Sequence, residues 1–172
     1  SACDAANVIA MEISGGVEAF VALMNQKAAE LKMENTHFVN PHGLDSDEHY
    51  TTAYDLAIIT SEALKNQVFR EIVSTYSKTL SHNGVPDRRI VVNHNRLLKT
   101  FEGAVGIKTG FTKKAGRCLV SSANRDGMEV ICVVLNCPPM FERSKGLIND
   151  CFDKYKLYKL VALKENLVTF VS

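Results

Sequence analysis

Charge of one sign is what this sequence most lacks: 20 Lys and Arg stand against 19 Asp and Glu, interspersed along the chain, for a net charge of +1. Nucleic-acid binding needs a basic face for the phosphates, and none is patterned here. No apolar run reaches the length of a membrane span, and the start shows no signal-peptide pattern. The five cysteines (Cys3, Cys118, Cys132, Cys137, Cys151) form no Cys-x-x-Cys pair, which argues against the usual zinc and redox motifs. Their odd number leaves at least one thiol free, and burial as small hydrophobes is expected rather than a disulfide framework. Internal repeats, low-complexity tracts and Pro-rich linkers are also missing. Residues 35–50 gather His37, His42, His49, Asp45 and Asp47, but in no common ligand spacing, and Asn40-Pro41-His42-Gly43 is turn chemistry. Neither a metal nor a cofactor is expected.

What the 172 residues do have is 46% hydrophobic and 23% charged content, enough to bury the core of one globular domain. The most pointed stretch is Val105-Gly106-Ile107-Lys108-Thr109-Gly110-Phe111-Thr112. Val105 and Ile107 alternate with Gly106 and Lys108, so a strand here has one apolar face and one carrying an ammonium, with the Thr109 hydroxyl close by. Gly110 leaves the strand surface bare, where a ligand backbone can lie alongside. Such a strand can pair with an extended peptide while Lys108 attracts its carboxylate. Taken alone, Lys-Thr-Gly is more simply a solvated lysine before a turn glycine.

Around it the chain divides in two. From Asp4 to Ile13, Ala5, Val8, Ile9 and Ile13 recur at helical spacing, and Ser14-Gly15-Gly16 stops the helix, with Ser1 placed to cap its start. A second helix runs from about Val17 to Met33, with Phe20, Leu23, Met24, Ala28 and Leu31 as its core face. Thr52-Ala53-Tyr54-Asp55 reads as a capping box with an acid in its last place. It opens a helix to about Asn66 whose Leu56, Ile59, Ala63 and Leu64 face inward, and Gln67 to Thr75 is a further short helix. From Tyr76 the period changes to two. Strands 76–80 and 89–92 flank a turn at 81–87 containing Asn83-Gly84, and a partly helical connector covers 93–100. Strands over 105–109, 117–123 and 128–136 follow as three antiparallel neighbours. Phe141 to Leu157 is a closing amphipathic helix with Leu147, Ile148, Cys151, Phe152 and Tyr155 apolar. The expectation is an α/β chain of the α+β type: an antiparallel sheet, a helical lobe on one side and a closing C-terminal helix on the other. Residues 1–159 form the domain, and 160–172 read as a linker or the start of something further.

Several stretches together carry a resemblance: Ser1-Ala2-Cys3 opening a helix, Thr36 to Asp45, Tyr50 to Ala57, Asn93 to Leu98, and Gly106 to Ala115 with Lys108-Thr109-Gly110. In this order and rough spacing they resemble the serine D-alanyl-D-alanine carboxypeptidases, low-molecular-weight penicillin-binding proteins of the β-lactamase/transpeptidase-like superfamily, whose motifs are Ser-x-x-Lys, Ser-x-Asn and Lys-Thr-Gly. The resemblance covers nearly the whole chain. It implies acyl-serine cleavage of peptidoglycan stem peptides ending in D-Ala-D-Ala, acylation by β-lactam antibiotics, and an extracytoplasmic place at the outer face of the cytoplasmic membrane. Attachment to the membrane would run through a C-terminal region beyond this chain. It assigns Ser1 a proton relay, Lys108 and Thr109 the substrate carboxylate, and Cys3, Gly110 and Thr112 places in the substrate site.

Two departures qualify it. No serine here has a lysine three positions on, since Ser61 precedes Lys65 by four and Ser77 adjoins Lys78. The nucleophile is therefore absent from this chain, and a first segment is expected before it. The third residue of the Ser-x-Asn element is Cys3, a weak hydrogen-bonding thiol in place of an amide. Ser122-Ala123-Asn124 also spells Ser-x-Asn but follows Lys-Thr-Gly and reads as a coincidence. The alternatives are a non-catalytic peptidoglycan-binding protein and a class A-like β-lactamase, for which no Glu-centred deacylation motif is visible.

Overall fold

The computed structural model describes residues 1–82 and 85–158. The helix α1 (Cys3–Ser14) ends where the glycines predict: Gly15 adopts the left-handed conformation, φ 75°, and returns its N–H to Met11 O at 2.8 Å. Helix α2 (Val17–Glu30) leaves at 84° to it, and among the described residues no single helix is long and apolar enough to cross a membrane. The α2 stripe expected as core is largely covered: Ala28 is buried, Phe20, Met24 and Leu31 are partly buried, and Leu23 alone of the five is exposed. On α1 only Ala10 is buried, and Val8, Ile9 and Ile13 are exposed, because nothing among the described residues packs over them.

Helix α3 (Ala53–Ala63) starts on the predicted cap, Thr52 Oγ1 accepting from Asp55 N at 3.1 Å. The box is only half closed. The Asp55 carboxylate, 2% exposed, instead accepts from Asn35 N at 3.0 Å and Thr36 Oγ1 at 2.7 Å, tying the incoming loop to the helix start. Asn66 does not end this helix but caps the next, α4 (Gln67–Ser74), accepting from Val68 N and Phe69 N.

Strands β1 (Ser77–His82) and β2 (Val85–Val92) form their own two-stranded sheet. They pair out to Ser81↔Pro86 and His82↔Val85, so most of the span 81–87 expected as a turn is strand: backbone pairing runs on where the hydrophobic alternation fades. Asn83-Gly84 itself lies outside the described residues, as does the linker expected over 160–172. After the single-turn α5 (Leu97–Thr100), strands β3 (Ala104–Thr112), β4 (Gly116–Arg125) and β5 (Met128–Val134) form the main sheet, antiparallel in that order.

Strand β4 is central and alternates between two covered faces. Leu119 and Ala123 join Leu97, Cys132, Val134, Met140 and Ile148 in the core under α6 (Met140–Lys154). The α6 stripe is set by Met140, Ser144 and Ile148, buried at i, i+4, i+8, with Phe152 partly buried; the apolar Leu147 and Tyr155 are exposed. Arg125 lies between the Phe101 and Phe152 rings, 4.9 and 4.7 Å from their centroids, a cation–π contact that helps seat α6. All five cysteines are free thiols.

The other face of β4 meets the helical lobe through one network. Arg70 of α4 makes a bidentate pair with Glu129 of β5, both N–H···O distances 2.8 Å, while donating to Leu64 O; Ser122 Oγ donates to Glu129 at 3.0 Å. The Arg70 hydrogen bond, above other causes, holds the Glu129 carboxyl below its ordinary value. Stability from this pair is therefore present above pH 4.5, the ordinary carboxyl value, and is lost as pH falls below it through the lowered folded value. Arg70→Ala should destabilise by about 1.5–3 kcal/mol, and Arg70→Lys should recover little, because a lysine cannot reproduce the fork. The variant's deficit, measured by urea unfolding, should shrink on acidification; a deficit independent of pH would show that the loss is packing alone.

Candidate active site

Strand β3 is an edge of its sheet, paired only with β4 among the described residues. Its register sets Lys108 opposite Val120 and Gly106 opposite Ser122, with Ile107 opposite Ser121 and Thr109 opposite Leu119. Period two puts Gly106 and Lys108 on one face, and the approach of Val73 to Gly106 marks it as the face that meets the helical lobe. Glycine gives room at 106: a Cβ there would stand 3.1 Å from Val73 Cβ, a tight contact, so its absence lets α4 press onto the strand. At Gly110, which is exposed, an added Cβ would meet only Cys118, at 3.8 Å. The strand is open there, though an alanine would also fit.

Lys108 and Ser1, 107 positions apart, meet. The ammonium donates to Ser1 Oγ at 2.7 Å and to its neighbour's carbonyl, Thr109 O, at 2.6 Å. Ser1 is free for this because it does not cap α1: Ala2 occupies the cap position and no side chain bonds the helix start. Since the lysine donates, the serine's own hydroxyl hydrogen remains available to a third group. Although Lys108 as a residue is exposed, burial of its ammonium end pulls its pKa below the ordinary lysine value, partly offset by Cys3, which pushes it up. Cys3, half-buried, is the first residue of α1 and stands on this side of the site.

A cleft of about 620 Å³ is lined by Ser1, Ile107, Lys108 and Thr109 together with Ile72, Val73, Val91 and Val92. Asn93 and His94 also line it, and Asn93, just past β2, ties that strand's end to α4 by donating to Val73 O and Thr75 O. The role of Asn93 carries no local sequence signal, because its partners lie 20 and 18 positions away. Among the expected site residues, Cys3, Gly110 and Thr112 do not line the cleft. Thr112 Oγ1 is engaged elsewhere, donating to Asp45 Oδ1 at 2.6 Å and accepting from Ala115 N at 2.9 Å. Ser122, of the second Ser-x-Asn, is 1% exposed and serves the Glu129 network instead.

The histidines of the 35–50 segment are spent on its own shape. His37 Nδ1 donates to Glu48 O at 2.6 Å, His42 Nδ1 accepts from Leu44 N at 3.2 Å, and His49 Nδ1 accepts from Val39 N at 3.1 Å. Burial, and the nearby His42 and His37, lower the pKa of His49 and keep it an acceptor. Among the described residues no group of His, Cys, Asp and Glu could hold a metal ion.

Residues 1–138 match the family described as D-alanyl-D-alanine carboxypeptidase. The D-alanyl-D-alanine carboxypeptidase DacF of Bacillus subtilis is 39% identical over 161 residues, a match covering 91% of this chain and 41% of that protein. Among solved structures, a serine-to-alanine variant of the Streptomyces K15 DD-transpeptidase superposes with a TM-score of 0.83 at 34% identity, covering 88% of this chain and 63% of that one. A cysteine-to-alanine variant of the same enzyme, substituted two positions further on, gives 0.77 at 32% identity, covering 87% and 61%. The chain thus spans less than half of its Bacillus relative and under two thirds of the Streptomyces one.

Proposed function

Because the chain belongs to the D-alanyl-D-alanine carboxypeptidase family, we propose that the complete protein removes the terminal D-alanine of peptidoglycan stem peptides through an acyl-serine. The observation that carries this is the 2.7 Å contact between Lys108 and Ser1 at the open edge of β3. The nucleophile is a serine of a Ser-x-x-Lys outside these 172 residues. Its oxygen attacks the carbonyl carbon of the penultimate D-alanine, the C–N bond breaks, and the departing amine takes a proton relayed by Ser1; water then cleaves the ester. Ser1 suits the relay because Lys108 donates to it and leaves its hydrogen free. Lys108 has three N–H donors, of which two are spent on Ser1 and Thr109 O, and the third meets the substrate carboxylate as a charge-assisted bond. Thr109 lines the same cleft and is a second contact for that carboxylate, while the bare edge at Gly110 lets the peptide backbone pair with β3.

Cys3 fits this reading better than the motif alone suggests. Ser1 and Cys3 are two apart, the same spacing as the serine and cysteine substituted in the Streptomyces enzyme, which supports equating the two pairs. We place the complete protein outside the cytoplasmic membrane, where its substrate lies, and attach it there through a C-terminal region outside these 172 residues. The complete protein should release free D-alanine from a pentapeptide ending in D-Ala-D-Ala and form a covalent adduct with a β-lactam. Peptide binding without release or adduct would mark it as a non-catalytic peptidoglycan-binding protein.

A further inference from the structure

Two contacts join the 35–50 loop to the far end of the active-site strand, and they form a ladder. Asp45 Oδ1 accepts from Thr112 Oγ1 at 2.6 Å, and the Asp47 carboxylate pairs with the Lys114 ammonium. Both pairs are 67 positions apart, so Asp45 and Asp47 meet Thr112 and Lys114 in the same order. The loop end of the ladder is anchored: Asn40 Oδ1 accepts from Gly43 N at 2.7 Å and Asn40 Nδ2 donates to Leu44 O at 3.0 Å, while Asn25 holds Phe38 by both its N–H and its carbonyl, each at 2.8 Å. At the other end, Thr112 is the last residue of β3, four beyond Lys108.

We propose that Asp45 and Asp47 are positioning residues that latch the β3–β4 turn to this loop and so fix the downstream end of the strand on which the substrate peptide lies. This rests on the carboxypeptidase reading of the site. It also gives Thr112 a task other than the expected place in the substrate site: its hydroxyl hydrogen is committed to Asp45, so it orients the strand rather than the ligand. A β-strand edge recognises a peptide through the spacing of its own N–H and C=O groups. An unlatched end lets that spacing drift and weakens binding more than it slows the bond-breaking step.

The test uses the complete protein. Asp45→Ala should raise KM for a D-Ala-D-Ala peptide about threefold to tenfold, the loss of roughly one hydrogen bond, with kcat nearly unchanged. Asp45→Asn, which keeps an accepting oxygen, should restore most of the loss, and adding Thr112→Val to Asp45→Ala should cost little more. Exchanging the second rung, Asp47→Lys with Lys114→Asp, should recover what either change alone loses. The proposal is overturned if kcat falls in step with Tm while KM holds, or if Asp45→Asn is as impaired as Asp45→Ala. Hydrogen exchange at the β3 amides reads the latch without any activity: in Asp45→Ala the amides near Thr112 should exchange faster and those of β5 should not. If the unaltered protein neither releases D-alanine nor binds the peptide, the carboxypeptidase reading fails while this exchange result still decides the latch.

Discussion

The 172-residue chain alone is expected to remain unlabelled by a fluorescent penicillin, whereas the complete protein carrying a Ser-x-x-Lys should label stoichiometrically. Acylation needs a serine whose proton is taken by a base in reach, and in this family that base is the lysine one helical turn on. No serine here has that partner. Ser122 is followed three residues later by Arg125, whose guanidinium does not deprotonate, and Ser61 and Ser77 miss their lysines by one and two positions. Ser1 is the one candidate that geometry offers, because a lysine touches it at 2.7 Å. Yet in that contact the lysine nitrogen donates and Ser1 Oγ accepts, the reverse of the arrangement in which a base takes the serine's proton. Label that survives denaturation and maps to Ser1 would sink this assignment and make Ser1 with Lys108 a nucleophile–base pair in its own right.

The parts of this molecule that could be read from sequence are those whose physics is local. Gly15 ends α1 because its own backbone turns left-handed, and Thr52 starts α3 because its hydroxyl reaches an amide three residues on. The alternation of Ile107 with Lys108 announces a strand with one charged face, and Arg125-Asp126-Gly127 the turn between β4 and β5. What could not be read is settled by partners far along the chain. Asp55 was expected to close a capping box and instead serves Asn35 and Thr36, about 20 positions earlier. Arg70 finds Glu129 at a separation of 59, and Asp45 finds Thr112 at 67, and neither pairing leaves a periodic trace. Helical spacing correctly gave α1 its shape, but spacing cannot say whether an apolar stripe is covered, and Val8, Ile9 and Ile13 stand exposed. For the site, Lys108 and Ser1 were legible as a pair only through the resemblance. The Thr112–Asp45 bond leaves no trace in the spacing of Thr112 from Lys-Thr-Gly, because that spacing says nothing about which way its hydroxyl is committed.

Replacing Lys108 by alanine in the complete protein should lower kcat/KM on a D-Ala-D-Ala peptide by roughly thirty-fold to several hundred-fold, corresponding to about 2–4 kcal/mol of lost transition-state stabilisation. Two losses add up to this. The substrate carboxylate gives up a charge-assisted bond in a cleft walled by Ile72, Val73 and Val92, and Ser1 gives up the donor that holds its oxygen in place. The effect should not come from unfolding. Burial lowers the Lys108 pKa, so the charged form costs folding energy at neutral pH, and that cost fades as pH rises through the lowered folded value. Lys108→Met should therefore leave Tm unchanged or raise it while activity falls as it does for alanine. The same shift fixes the alkaline limb of the activity profile: carboxylate binding should fade below the ordinary lysine value of 10.5, as the ammonium loses its proton early. Lys108→Arg keeps the charge at all accessible pH and should carry the limb upward even where its bulk lowers the rate. An unchanged kcat/KM for Lys108→Ala would show a solvated surface lysine, and an alkaline limb unmoved by Lys108→Arg would assign the titration to another group.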